Sequence, residues 1–359
     1  MAKIIIWSPS WLDTNGQAIV TKRVVESLAD VAWIPAVYKK SDRNSARHFL
    51  SAIWTLWATL LFRRPAAIYV VCSRSNIGFL RDIPALLPAL FGARVIVHVH
   101  GSDLVYLLSG RRVSGLARLL YKRCELIIPS SHMLEPLEAL NLRSVVLCEN
   151  FFIGEQVEDD TEADAARFDV LWNSNLISTK GFFRLVDAMS LLNVSGTSAT
   201  LHALGAPIDD ADLAGDALQC AVDSAFNYGW ATYHGRVTPT EAYRLVENAH
   251  IVALPSHYSS ECQPLAIIQA MCAGKRIIIQ STPALRATIG SYPATAVSTK
   301  SAEELRNAVE AQINDIHSGQ AATLAPSKDD IKYARYRFSV ERFDEQIAKI
   351  ILGSQRPQA

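Results

Sequence analysis

Short apolar runs alternate with stretches whose apolar positions recur at helical spacing along nearly the whole chain. That alternation predicts βαβ units and parallel sheets. In the first half, strands are predicted at Ile4–Trp7, Ala32–Val37, Ala67–Val71, Val95–Val99, Leu126–Pro129 and Val145–Leu147. Helical patterns fall between them, near Ala18–Leu28, His48–Leu61, Ile83–Leu90, Leu116–Tyr121 and Met133–Leu140. Residues Glu155 to Arg167 are acidic and poor in apolar side chains, which predicts an exposed linker. A second series follows, with strand Asp169–Trp172, helix Phe182–Leu192, strand Thr200–Leu204, a helix around Asp212–Phe226 and a short strand near Thr232. Thr238-Pro239-Thr240-Glu241 reads as a capping box with proline at the first helical position. Phe338 to Phe343 begins a final amphipathic helix, and no solenoid-length repeat or low-complexity segment interrupts the series.

Half of the 359 residues are hydrophobic, enough for two domains with separate cores. No uninterrupted apolar run reaches the roughly 18 residues of a spanning helix, and the N-terminus reads as a first strand rather than a signal peptide. The six cysteines are scattered without a C-x-x-C pair or a histidine-rich cluster, so buried thiols in a reducing compartment are expected and a structural metal is not. The zero net charge conceals an asymmetry. Residues 1–150 hold 18 Lys+Arg against 10 Asp+Glu; from totals of 35 and 35, this leaves 17 against 25 for the rest. A basic first half suits a phosphate-bearing acceptor or an anionic membrane surface, and ordinary solvated charge accounts for it equally well. His48–Leu61, flanked by Arg43, Arg47, Arg63 and Arg64, is apolar almost all round. Such a segment more often means a helix buried between sheet and neighbours; interfacial contact through its tryptophans and arginines is the other reading.

The densest chemistry runs from Pro255-Ser256-His257-Tyr258-Ser259-Ser260-Glu261 through Cys262-Gln263-Pro264-Leu265 to Gln269-Ala270-Met271 and Ala273-Gly274-Lys275. An apolar strand, Ile251–Leu254, leads into a polar loop and then a helix opened by Pro264. Glu261 therefore stands just before a helix N-terminus at the carboxyl end of a strand, where α/β sheets place ligands and helix ends favour phosphate. Gln269 follows eight residues later, roughly two turns on, so both side chains could face one cleft.

This passage resembles the nucleotide-sugar signature of retaining GT-B glycosyltransferases, glycosyltransferase family 4 (glycosyl transferases group 1). The family pattern is two glutamates with seven residues between them, in a context like P-S-x-Y…E-G-Q-P-L-x-x-x-E-A-M-A-x-G-K. Here the second glutamate is Gln269. The resemblance implies that Glu261 approaches the donor sugar, that Gln263, Pro264 and Leu265 belong to the donor site, and that Gln269 meets the ribose hydroxyls. Glutamine keeps an acceptor and adds a donor, so ribose binding can survive the lost charge.

Other landmarks fall in the family's order. Asp13-Thr14-Asn15-Gly16-Gln17-Ala18 is a glycine-containing loop entering a helix, and by resemblance Gly16 faces the donor phosphates or the acceptor. It is not G-x-G-x-x-G, so a nicotinamide or flavin reading loses its main support. In His98-Val99-His100-Gly101-Ser102-Asp103, alternation puts the two histidines on one side. His100 matches the family's strand-end histidine near the reacting sugar, His98 reads as structural, and Asp103 falls on the acceptor side. Arg81 and Arg111, with Arg112, are candidates for an acceptor phosphate, although isolated surface arginines are commonplace. Ser174 to Gly181 matches a loop that usually carries Gly-Arg-Leu…Lys-Gly. Lys180 supplies the lysine that neutralises the diphosphate, and Asn175 replaces the arginine. Gly205 and Gly235 match turns lining the nucleotide pocket, and Glu149-Asn150 matches a hinge turn.

The resemblance implies an α/β GT-B fold, two Rossmann-like domains facing across a cleft. Residues 1–160 form the acceptor side, 167–335 the donor side, and 336–359 a C-terminal helix crossing back to the first domain. It further implies a metal-independent hexosyltransferase with Glu261, His100 and Lys180 as catalytic candidates. Sugar passes from a nucleoside-diphosphate sugar to an acceptor hydroxyl of a glycan or lipid-linked saccharide, with retention. No cofactor beyond the nucleotide-sugar substrate and no nucleic-acid partner is expected. The expected location is cytoplasmic, with peripheral contact at the inner membrane face. A nucleotide-sugar epimerase shares this two-domain shape; Asn175 and Gln269 together also motivate a non-catalytic homologue that binds nucleotide sugar.

Overall fold

A computed structural model describes residues 4–11, 15–39, 44–73, 75–110, 114–152, 154, 168–318 and 324–353. The expected linker, Glu155 to Arg167, and positions 13, 14, 43, 111 and 112 lie outside them. The chain divides into two compact units, Met1–Asn150 with Val340–Ala359, and Phe151–Ser339. These bounds differ from the expected 160 and 335. Phe151 and Phe152 belong to the second unit, where the Phe152 N–H donates to the Phe338 carbonyl (2.8 Å) and its ring packs edge-on to Tyr243.

The first unit holds strands β1 (Ile4–Pro9), β2 (Trp33–Tyr38), β3 (Ala67–Val71), β4 (Val95–His98), β5 (Glu125–Ile128) and β6 (Ser144–Leu147). Its helices are α1 (Gly16–Ser27), α2 (Ser45–Arg63), α3 (Asn76–Leu86), α4 (Asp103–Ser109), α5 (Ser114–Tyr121) and α6 (Leu134–Glu138). All strands pair in parallel in the order β2-β1-β3-β4-β5-β6. β1 and β3 are buried along their whole length because helices cover both faces of a parallel sheet. The helix expected at Ile83 begins earlier, at Asn76. The Ser75 hydroxyl accepts from the Gly78 N–H and caps it, and a 3₁₀ turn, Leu87–Phe91, finishes the segment. The stretch after His100 contains α4, a helix that the sequence pattern does not predict.

The second unit holds β7 (Phe168–Asn173), β8 (Ala199–Leu204), β9 (Ala231–Gly235), β10 (Ile251–Leu254), β11 (Arg276–Gln280) and β12 (Thr295–Val297). Its helices are α7 (Phe182–Val194), α8 (Gly215–Ala225), α9 (Pro239–Asn248), α10 (Leu265–Cys272), α11 (Pro283–Ile289), α12 (Ala302–Ser318) and α13 (Lys328–Arg337). The parallel order is β12-β11-β10-β7-β8-β9. β10 lies beside β7 although strands β8 and β9 come between them in sequence, so the winding direction reverses between this pair. Such a reversal opens a crevice at the carboxyl ends of the two strands. Trp172, Phe182, Ile267 and Ile278 are among the side chains that close the core beneath it. The capping box before α9 forms as expected, Thr238 and Glu241 exchanging hydrogen bonds.

A last helix, α14 (Val340–Leu352), returns to the first unit. Its final carbonyls, Ile350 and Ile351, accept from the Arg94 guanidinium at 2.7 Å each, a cation at the negative end of a helix. Arg23 of α1 binds the part-buried Asp344 (2.9 Å), joining α1 to this helix.

Candidate functional site

Two loops meet at the reversal point of the second sheet. One follows β7 and runs through a 3₁₀ turn, Ser178–Lys180, into α7; the other follows β10 and leads to α10. Their approach depends on glycine. Gly181 has φ +88°, and a Cβ there would stand 2.5 Å from the Pro255 carbonyl oxygen. Gly205, at the end of β8, has φ +102°, and its Cβ would meet the Ser174 carbonyl oxygen at 2.3 Å. The His257 N–H donates to the Thr179 carbonyl (3.0 Å), and the Thr179 N–H and hydroxyl both donate to Asp210 Oδ2 (2.7 Å each). These bonds fix the first loop before any ligand arrives.

Lys180 and Glu261 come together here. Lys180 Nζ lies 3.3 Å from Glu261 Oε2, with the two side chains only 16% and 10% exposed. Lys180 also donates to Ser174 Oγ (3.1 Å) and stands 6.0 Å from the centre of the Tyr258 ring. The fully buried Ser256 donates its hydroxyl to the same Glu261 oxygen (3.1 Å). A cation, an acid and the start of α10 thus share one sheet edge. Pro264 is the residue before that helix (φ −71°, ψ 126°) rather than its first residue, as the sequence pattern predicts, and it supplies no side-chain cap. Its ring cannot cap the amides that follow, so that end of α10 retains the positive end of the helix dipole.

The two amides at departures from the family pattern have defined partners. Asn173, at the end of β7, donates from Nδ2 to Gln269 Oε1 (2.9 Å). Gln269 therefore has its oxygen engaged and its N–H₂ group turned from Asn173, so its outward group is a donor rather than the acceptor of a glutamate. Asn175 Oδ1 accepts from the Ala206 N–H (3.1 Å), so the residue at the arginine position clasps the β7 and β8 loops. Arg184, in the first turn of α7, does not replace the missing cation. Its guanidinium donates to Pro255 O, Gln280 Oε1 (2.9 Å) and Thr299 O (3.2 Å), and burial lowers its pKa. His257 went unassigned in the sequence pattern. Burial, then Lys300 and Arg184, lower its pKa, and its buried Nδ1 has no hydrogen-bond partner among the described residues.

In the first unit, Gly16 opens α1, with Asn15 Oδ1 accepting from the Ala18 N–H. His98 is fully buried, its Nδ1 is 2.6 Å from the Tyr69 hydroxyl, and burial lowers its pKa to about 3. It is therefore a neutral structural histidine. The half-buried His100 stacks beside it, ring centroids 4.3 Å apart, and Asp103 is the first residue of α4. The Arg81 guanidinium sits 5.9 Å from the Tyr38 ring centre, and Arg111 lies outside the described residues.

Asp82, beside Arg81, takes no role of its own from the sequence, because a lone aspartate in an apolar helix carries no pattern. It is fully buried and accepts from Trp7 Nε1 (3.3 Å), the Tyr38 hydroxyl (3.4 Å), and the Ser73 N–H (2.8 Å) and hydroxyl (3.2 Å). Burial pushes its pKa up to about 6. It ties together the carboxyl ends of β1, β2 and β3, on both sides of the first sheet's own reversal between β1 and β3. Among the described residues no group of three or more His, Cys, Asp or Glu side chains is arranged to hold a metal ion.

Two six-stranded parallel sheets, each in a Rossmann-like unit, define a GT-B protein. Residues 155–323 match the family described as glycosyl transferases group 1, which puts the family pattern in the second unit. Solved structures share the fold along the whole chain. Sucrose-phosphate synthase from Thermosynechococcus elongatus aligns with TM-score 0.70 at 15% identity, covering 98% of each chain. HepE of Anabaena, solved with UDP-glucose, aligns with TM-score 0.73 at 15% identity over 98% of this chain and 100% of its own. The α,α-trehalose 6-phosphate synthase of Burkholderia multivorans gives 0.68 at 10% identity, covering 98% of each. No curated protein sequence matches significantly. The family match supports a glycosyltransferase; the structural likenesses support the fold.

Proposed function

We propose that the chain moves a sugar, a hexose, from a nucleoside-diphosphate sugar to an acceptor hydroxyl on a glycan or lipid-linked saccharide, with retention at the anomeric carbon and without a metal. The observation that carries this reading is the Lys180–Glu261 pair at the reversal point of the second sheet, beside the start of α10. The leaving group is a diphosphate on which negative charge grows as the glycosidic bond breaks. A fixed cation and helix-end amides stabilise that charge without reorganising at the moment of reaction. Lys180 is the assigned cation; Glu261, held by Ser256, positions the sugar hydroxyls and favours the positive charge developing at the anomeric carbon. It is not assigned as a nucleophile. The donor phosphate takes the acceptor proton on the same face, so His100 orients sugar or acceptor rather than serving as an obligatory base. Asp103, Arg81 and Arg111 are assigned to the acceptor side, and Gly16, Asn175, Gly205, Gln263, Pro264, Leu265 and Gln269 to donor binding. HepE, which shares the fold, was solved with UDP-glucose, so a UDP-sugar is the first donor to try.

One observation favours a second reading. Asn175 and Gln269 both spend their side-chain oxygens on the protein itself, which suits a non-catalytic homologue that only binds nucleotide sugar. Proton NMR of the chain mixed with a panel of nucleoside-diphosphate sugars, with and without saccharide acceptors, separates the readings. Transfer with the donor's anomeric configuration kept supports the proposal. An epimerised donor without acceptor points to an epimerase, and donor binding with no turnover on any acceptor points to the non-catalytic homologue.

A further inference from the structure

The helix α2 has two apolar faces, and only one is covered. Ala52, Leu56 and Thr59 pack inward, whereas Leu50, Trp54 and Leu61 are 65%, 76% and 73% exposed. With Trp57 they form a stripe at positions 50, 54, 57 and 61, the three-four spacing of one helix face. This corrects the expectation of a helix buried all round. The same stripe extends to Arg47 at one end and Arg64 at the other, both exposed, and Phe62 and Arg63 flank it. The covered face lies opposite because residues 54 and 56 stand about 200° apart around the helix.

Neighbouring helices continue this surface. Right-handed crossovers that advance in one direction along a sheet leave their helices on one side, and α3 packs against both α2 and α5. Ile77 and Leu80 on α3 and Phe91 after it are exposed as well. Scattered exposed apolar residues are ordinary, but a contiguous set spanning adjacent helices marks an interaction surface.

Charge identifies the occupant. α2 carries Arg47 and Arg63, with Arg64 at its end, all exposed, and no Asp or Glu. Two copies of a helix whose charged side chains are arginines alone would repel each other, which disfavours self-association. An anionic bilayer supplies both phosphates for the arginines and an apolar boundary for the tryptophans, whose rings settle at headgroup depth. No helix among the described residues is long and apolar enough to cross a membrane. We propose that the first unit docks through this face on an anionic lipid surface, with α2 lying in the plane of the interface between its terminal arginines. The inference does not depend on the donor site, and its test uses no nucleotide sugar.

The full-length chain is floated with vesicles of phosphatidylcholine alone and of phosphatidylcholine with about one third phosphatidylglycerol. The wild type is expected to float with the anionic vesicles, far less with the neutral ones, and less as salt rises. Leu50→Gln with Trp54→Gln and Leu61→Gln should lower the partition at least about tenfold while leaving the melting temperature unchanged, because the replaced side chains face solvent. Arg47→Gln with Arg64→Gln, which removes no packed group, should also reduce anionic-vesicle binding about tenfold. Failure of the wild type to float, or full flotation of both variants, overturns the proposal. So does a wild-type dimer that the triple variant dissolves in the absence of vesicle binding, which would make a second copy the occupant.

Discussion

Replacing Lys180 by methionine separates a catalytic cation from a merely structural one. The methionine keeps the unbranched stem and removes the charge, leaving the Glu261 carboxylate, 10% exposed, with Ser256 but without its cation. Breaking a pair buried to this degree costs about 3 kcal/mol, which for a unit of this size lowers the melting temperature by ~6–12 °C. Loss of a preorganised group that stabilises the leaving diphosphate costs a further ~100–1,000-fold in kcat. Glu261→Gln combined with Lys180→Met removes both charges, so the double variant should recover most of the lost stability. It should recover no turnover, since neither the diphosphate cation nor the group beneath the sugar is restored. Thermal unfolding and nucleoside-diphosphate release on the wild type and the three variants make a complete cycle. If the double variant regains activity along with stability, the pair is a structural strut and the catalytic assignment of Lys180 is wrong.

Four further outcomes are expected. Asn173→Ala frees the Gln269 oxygen and should weaken donor binding by about fivefold, the worth of one hydrogen bond, as read by calorimetric titration. Gln269→Glu keeps the acceptor that Asn173 uses and should leave kcat within about tenfold of wild type; a larger fall would show that the amide's donor group is needed. Gly205→Ala should destabilise by about 2 kcal/mol or more through its left-handed φ and the clash with Ser174. Gly229→Ala, whose Cβ meets nothing within 4 Å, should stay within about 0.5 kcal/mol. The fourth concerns pH. The Asp82 carboxyl is raised to about 6 in the fold, so its contribution is complete below the ordinary value of about 4 and is lost as pH rises through 6. His98, lowered to about 3, contributes above its ordinary value of about 6.5 and loses that contribution as pH falls. The slopes oppose each other between about pH 4 and 6 and so mask one another in the wild type. Urea unfolding should show the advantage of wild type over Asp82→Asn shrinking by about 2 kcal/mol between pH ~4 and ~7; a pH-independent difference would refute the buried-acid account.

Strands Ala67–Val71 and Ile251–Leu254 have the bounds that their apolar runs predict, because a strand buried on both faces leaves an unbroken hydrophobic record. The capping box at Thr238 was equally legible, being a local device that needs no tertiary partner. α2 was not. Hydrophobicity registers which side chains are apolar but not whether anything covers them, and here one stripe faces solvent. The chemistry divides along the same line. The residue types around Glu261 could be read in order, yet the engagement of Gln269 by Asn173 and of Asn175 by Ala206 depends on neighbours 96 and 31 positions away. Asp82 is the extreme case, since its partners Trp7, Tyr38 and Ser73 come from three strand ends and no spacing announces them. β11, β12, α11, α12 and α13 lie beyond the signature, where the pattern carries no motif to set them apart.

On the proposed function, the loops after β7 and β10 hold a nucleoside-diphosphate sugar for transfer. The direct measurement is nucleoside-diphosphate release and donor binding across a panel of nucleotide sugars, UDP-glucose first, for the wild type and Glu261→Ala. Release or binding should be selective for one donor and lost in the variant. Absence of binding to every donor, or an equal signal from Glu261→Ala, would contradict it.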